Sequence, residues 1–262
     1  MDADFSEFSY GYAAIREAEV GLGALYTQQG APKLPSLVEE ESLGWDVRLA
    51  FVDYALFLQF KRAQYVSRRH PDSPTWPGQN RPHYRYSIDT SGHQHKALMK
   101  LESDLATTPD SGNVYYAAPV FHSQHDFDFV YSSGSVLKNS SMILPSELGE
   151  DDGVHHHTAV APGASIIMSE PRSAQSDTTW SDLETRVREK AQVARTRDSA
   201  SRLTVGALES ILVSRVRRLD RDIEIDNDAP VISRLHRSAA ILGCGLALFT
   251  LDPEIASDSS MA

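Results

Sequence analysis

Residues 43–63 read LGWDVRLAFVDYALFLQFKRA, and the patterning of that run sets the fold expectation. Leu56, Phe57, Leu58 and Phe60 form a nearly continuous apolar stretch. A strand that is apolar on both faces belongs at the centre of a sheet covered by helices on either side. The two β-rich halves of the run meet at Val52–Ala55, which predicts a strand, a turn and a second strand. Side chains alternate along a strand, so Gln59 and Lys61 share one face while Leu58 and Phe60 point the other way. Burying an amide or an ammonium is costly unless it is satisfied. A strand this apolar has little structural use for such a pair.

Working outward, Phe5–Leu25 predicts a helix, with Phe5, Phe8, Tyr12, Ile15 and Leu22 at helical spacing and Gly30 and Pro32 ending it. The stretch LPSLVEEE (34–41) follows as a strand leading to the turn. Residues 70–82 (HPDSPTWPGQNRP) form a Pro-rich irregular loop. Residues 94–105 predict a helix with Leu98, Leu101 and Leu105 on one face, and NVYYAAPVF (113–121) a buried strand. Helix then strand after the central hairpin implies a mixed α/β sheet with a crossover. Short strands follow to about Pro171, then a polar stretch at 173–179. Residues 180–196, 203–219 and 229–248 read as mainly helical. This divides the chain into an α/β core at 1–172 and a mainly helical C-terminal extension or cap at 173–262.

Composition narrows the function classes. The chain has 262 residues and one cysteine, Cys244, which excludes a disulfide framework and a cysteine-rich zinc site. The start, MDADFSEFSYGY, is acidic where a signal peptide is basic, and the run AAILGCGLALFTL (239–251) is shorter than the roughly 20 residues a membrane helix needs. A cytoplasmic location is expected. The net charge of −11 argues against a general polyanion binder. Residues 1–54 hold ten acids and three bases, whereas residues 61–100 hold eight Lys or Arg against Asp72 and Asp89. That basic stretch starts at Lys61 and can approach phosphates in a salt-sensitive way.

Hydrolysis of a phosphodiester needs a hard cation to polarise a phosphoryl oxygen and acidify water. Mg²⁺ takes oxygen ligands, usually one or two carboxylates with water and phosphate. A cation beside the attacking water helps further. Asp46 on one strand, with Gln59 and Lys61 two residues apart on the next, supplies those groups, and the carbonyl of Phe60 is a further oxygen donor. Gly44-Trp45-Asp46-Val47 followed by a hairpin and Leu58-Gln59-Phe60-Lys61 resembles the PD-(D/E)XK nuclease superfamily, in the Mrr-like form with Gln in a D…QxK motif. The resemblance covers about 60 residues. It implies a restriction-endonuclease-like mixed sheet flanked by helices and Mg²⁺- or Mn²⁺-dependent cleavage of DNA, with a role in defence against foreign DNA. It makes Asp46 the metal carboxylate, Gln59 a metal ligand and Lys61 the group that positions the attacking water. A further glutamate on the N-terminal helix is common there, with Glu17 as first counterpart and Glu7 as second. Glu40 and Glu41 compete for the metal shell. The sequence departs from the family in carrying Trp45 where many members have Pro, and Gln59 where an acid would add a charge.

Arg62, Arg68, Arg69, Arg81 and Arg85, with His93 and His95, are the expected nucleic-acid contacts. Two other readings stand beside this one. An inactive nuclease-fold subunit would bind nucleic acid or a partner protein of a defence system. In a plain interaction protein, Asp46 sits in a turn, and Gln59 and Lys61 at the solvated end of a strand. A homodimer would place two sites on two strands. His155, His156 and His157 read as a polar segment entering a strand, and His122, His125 and Asp126 as structural. Arg215, Arg217, Arg218 and Arg221 are offset by Asp220, Asp222 and Glu224. No Gly-x-Ser-x-Gly elbow, phosphate-cradling GxxxxGK loop or dinucleotide fingerprint occurs.

Overall fold

The computed structural model describes residues 1–23, 27–28, 51–68, 82–107, 112–149, 153–159, 161–168, 172–175, 177–195, 203–219, 223, 225–227 and 229–250. In chain order the elements are α1 (Glu7–Gly23), β1 (Thr27–Gln28), β2 (Phe51–Val52), β3 (Tyr54–Phe60), β4 (Gln64–Val66), β5 (His83–Asp89), α2 (His93–Thr107) and β6 (Gly112–Pro119). They continue with α3 (Gln124–Ser132), β7 (Ser140–Ile143), β8 (Val154–Ala159), β9 (Ser165–Ile167), β10 (Arg172–Ser173) and α4 (Trp180–Arg195). The last are β11 (Leu203–Thr204), α5 (Val205–Leu219), α6 (Val231–Ile241) and β12 (Gly245–Thr250).

The chain is an α/β protein built on a mixed five-stranded sheet in the order β1-β12-β3-β6-β7. Every residue of β3 is buried, as its unbroken apolar run requires. Tyr54, Leu56, Leu58 and Phe60 face one core with Ile15, Ala14 and Ala18 of α1 and Leu183 and Val187 of α4. Ala55 and Phe57 face the other core, with Leu98 and Leu101 of α2, Leu208 and Leu212 of α5 and Leu235 of α6. β3 and β6 run parallel, Ala55 opposite Gly112 through Phe60 opposite Ala117. The chain between them includes α2, which packs on β6, so the connection is the expected helical crossover. A second, antiparallel sheet runs β10-β9-β8-β5-β4, its strands β4 and β5 lying in the connection between β3 and β6, and β2 pairs with β11.

Two local expectations change. The hairpin partner of β3 is not the preceding stretch: β12 lies antiparallel along Tyr54–Leu58, from Phe249 opposite Tyr54 to Gly245 opposite Leu58. Strand β6 lies on the other edge of β3. Of the expected first strand only Phe51–Val52 are described, and they pair with Leu203–Thr204, while residues 43–50 lie outside the described residues. The segment 229–248 is not one helix: α6 ends at Ile241 and Gly243 turns the chain at φ 75° into β12. Strand β12 lies in the central sheet, α4 packs in one core and α5 and α6 in the other, so the described part of 173–262 is built into the same sheet and cores as the described part of 1–172. In α1 the buried ridge is Tyr10, Ala13, Ala14, Ala18 and Leu22, whereas Phe8 and Tyr12 are exposed. No helix among the described residues is long and apolar enough to cross a membrane.

Candidate functional site

The carboxyl end of β3 gathers polar groups that the rest of the strand lacks. Gln59 projects to the α2 side and is 5% exposed, and its Oε1 is buried with no hydrogen-bond partner among the described residues. Lys61 lies two residues on, its backbone N–H donating to Ala117 O at 2.8 Å. Its Nζ sits 5.7 Å from the ring centroid of Tyr116. Tyr116 is the register partner of Gln59 across the parallel pair, so both reach the same face of the sheet.

The first turn of α2 closes this corner. His95 is 1% exposed, because it lies three residues before Leu98 on the buried stripe of the helix. Its Nδ1 is 2.9 Å from the Tyr116 hydroxyl and its Nε2 2.8 Å from the carbonyl of Gly149. A carbonyl only accepts, so Nε2 carries the proton, Nδ1 accepts, and the Tyr116 O–H donates. Gln94 donates from Nε2 to Leu242 O at 3.2 Å. The turn at Gly243 runs so close that a Cβ there would fall on Gln94 Nε2 and stand 3.2 Å from Gln59 Nε2. Cys244, next in the chain, is fully buried.

Burial depresses the pKa of Lys61 below the usual lysine value, opposed in part by Glu7 and by Cys244. The Glu7 carboxyl is pushed up by desolvation, while Lys61 and the backbone N–H of Arg62, which it accepts, pull it back. Burial raises Tyr116 well above the usual phenol value, so its hydroxyl keeps its proton at every physiological pH. Burial also pushes the Cys244 thiol up to about 12, with Lys61 as a lesser, opposing influence. That thiol is not a nucleophile, since the thiolate is the reactive species. Native protein at pH 8 is expected to react with a disulfide reagent such as Ellman's at least about a thousandfold more slowly than a free cysteine of ordinary acidity. Guanidinium should restore ordinary kinetics. A fast native reaction would show that Cys244 is accessible.

The remaining candidates separate clearly. Glu17 points away, its Oε2 accepting the Leu137 backbone N–H at 3.0 Å. Of the two candidate glutamates of α1, Glu7 is the one whose charge acts on Lys61. Phe60 packs its ring edge-on against Tyr10 at 5.6 Å, and its peptide links the two polar residues. Arg62 donates from Nη2 to Ala3 O at 2.6 Å. Arg85 is engaged by Gln64, Nε to Oε1 2.8 Å, on the second sheet. His93 and Arg68 are exposed. Asp46, Glu40, Glu41, Arg69 and Arg81 lie outside the described residues.

His155, His156 and His157 stand within β8, opposite Ile88, Ser87 and Tyr86 of β5. His122 stacks on Tyr65 at 4.2 Å and meets the Tyr84 hydroxyl at 3.2 Å. Arg215 is paired with Asp104. Among the described residues no three His, Cys, Asp or Glu side chains converge as a metal cluster. The sequence reading did not place Gln94, Tyr116, Gly243 and Cys244 at this corner. Only Gly243, a glycine interrupting a long apolar run, carried a local signal. The chain matches no protein-family model, no curated protein and no solved structure.

Proposed function

We propose that this chain hydrolyses phosphodiester bonds of DNA at the carboxyl end of β3, with Mg²⁺ or Mn²⁺ as cofactor. The observation that carries the reading is the Oε1 of Gln59, buried without a partner among the described residues, two positions from Lys61, whose ammonium lies over the Tyr116 ring. An amide oxygen left without a partner costs about 1–3 kcal/mol, and a hard cation is a natural partner for it. The donor chemistry therefore fits Mg²⁺ at Gln59, with Asp46, which the resemblance implies, and the neighbouring Phe60 carbonyl as further oxygen donors. In open α/β sheets, ligands bind outside the carboxyl ends of parallel strands, and the β3–β6 pair ends here. The ion supplies Lewis-acid polarisation of a phosphoryl oxygen when bound. Lys61 orients the attacking water and offsets the negative charge that grows on phosphorus. The Glu7 carboxylate favours the charged form of Lys61 and so opposes part of the pull of burial. Tyr116 and Cys244, both neutral, exclude water from the floor of the corner. A role in defence against foreign DNA follows by analogy with the resembling family.

The test is nicking of supercoiled plasmid with Mg²⁺ or Mn²⁺ and with EDTA, on wild type, Asp46→Ala and Gln59→Leu. Metal-dependent nicking is expected, reduced at least about a hundredfold by Asp46→Ala and about tenfold by Gln59→Leu, with circular dichroism unchanged. Cleavage that survives both substitutions overturns the assignment. A wild type that shifts DNA in a gel without cutting it points to the inactive, binding subunit instead.

A further inference from the structure

Lys61 has four side-chain torsions to restrain, and a lysine that is to serve one reaction geometry loses that freedom only if something holds it. Its backbone is fixed by the bond to Ala117 O, but the ammonium is held at a distance by a ring from another strand. We propose that His95 and Tyr116 act as a positioning pair for Lys61, the Tyr116 ring seating the ammonium and His95 fixing the ring. This rests on the reading of Lys61 as the group beside the attacking water.

The geometry runs in one direction through three elements. Gly149, at φ 73° in the turn after a short helical segment, offers its carbonyl to His95 Nε2. That bond sets the tautomer and leaves Nδ1 to accept from the Tyr116 hydroxyl. The two rings lie nearly parallel, 12° apart with centroids 6.0 Å from each other, so the phenol cannot swing without breaking contact with the imidazole. Lys61 Nζ lies over the same phenol ring at cation–π range. Both rings are 1% exposed, so water does not compete for the bond between them. Lys61 is set by side chains of α2 and β6 rather than by its own strand. A rearrangement of the α2 N-terminus would be felt at the ammonium.

The experiment reads Lys61 directly, by NMR of ¹³C-lysine protein, with its ε-CH₂ signal assigned by its loss in Lys61→Met. In wild type and Tyr116→Phe the ε protons are expected upfield of the other lysines, shifted by the ring current of residue 116. In Tyr116→Leu that shift disappears, and in His95→Ala it shrinks. The steady-state kcat for nicking should fall between about tenfold and a hundredfold in Tyr116→Leu and His95→Ala. KM should stay within about twofold, and kcat of Tyr116→Phe should fall between wild type and Tyr116→Leu, the ring being retained but its bond to His95 lost. Should Tyr116→Leu fail to fold, Tyr116→Met refills the volume without a ring and carries the same test. A wild-type Lys61 signal at the ordinary position, or one that Tyr116→Leu leaves unmoved, overturns the proposal. So does a kcat that stays at the wild-type value once the ring shift is lost. If no variant or wild type cleaves with any metal, the hydrolytic reading fails by itself, and the NMR arm still decides whether the pair seats Lys61.

Discussion

Lys61→Met is expected to abolish plasmid nicking, by at least about a hundredfold, while leaving the protein folded and raising its melting temperature by a few degrees at pH 7. The two halves of that outcome have one cause. A half-buried ammonium is less well solvated than in water, which is why its pKa is depressed despite Glu7. The unfolded chain then holds the proton more tightly than the folded one between the depressed value and the ordinary lysine value of 10.5. Stability must therefore rise with pH across that window and sit at its lower plateau below it. Methionine keeps the length of the side chain and removes the charge, so the variant gains at neutral pH. Its advantage shrinks as wild type climbs toward pH 10. Thermal melts at pH 7 and pH 9.5, alongside the nicking assay, check both halves. A variant that is inactive but also markedly less stable at pH 7 would mean that Lys61 supports the fold rather than the chemistry.

Gly243→Ala carries the second large effect. At φ 75° an L-residue pays about 1–2 kcal/mol for its Cβ, and here the added atom also lands on Gln94 Nε2 and crowds Gln59. Gln94 must give up its bond to Leu242 O, and the amide of Gln59 must turn or retreat. A fall of roughly 2–8 °C in melting temperature is expected for a chain of this size. Cleavage should drop about tenfold or more, because a small misplacement of a site group is enough for that. Gly134→Ala is the control: its φ is 59° and nothing lies within 4 Å of where its Cβ would stand. It should show the backbone cost alone, with cleavage intact. Equal loss of activity in both variants would separate Gly243 from the site.

The parts of this fold that were legible in the sequence are those governed by neighbours a few residues apart. The run from Tyr54 to Phe60 declared a strand buried on both faces, and its period of two placed Gln59 and Lys61 together. Helix α2 and strand β6 were visible as a leucine stripe and a compact apolar segment. Long-range pairing was not visible. The turn at Asp53 suggested a hairpin, yet the edge of β3 is filled by Gly245–Phe249, a partner no local pattern names. The run 239–251 is apolar throughout, so its periodicity does not show where helix gives way to strand; Gly243 alone marks the change. Phe8 and Tyr12 misled because size was taken for burial, while the face that packs on the sheet is built from Ala13, Ala14 and Ala18, small enough for close approach. His95 was noticed as a polar residue at a helix start. Its spacing from Leu98 and Leu101 already put it on the inward stripe. What could not be read was that Tyr116 waits there to meet it.

The place of β12 between β1 and β3 has a consequence for synthesis. A ribosome must deliver everything from residue 61 to residue 244 before the strand that covers the edge of β3 exists, on the order of ten to forty seconds at five to twenty residues per second. Through that interval the nascent chain presents an apolar, unsatisfied ribbon to its surroundings, the kind of edge that invites adhesion. Chaperone demand should fall in that window, and the corner holding Gln59 and Lys61 assembles only after it has passed.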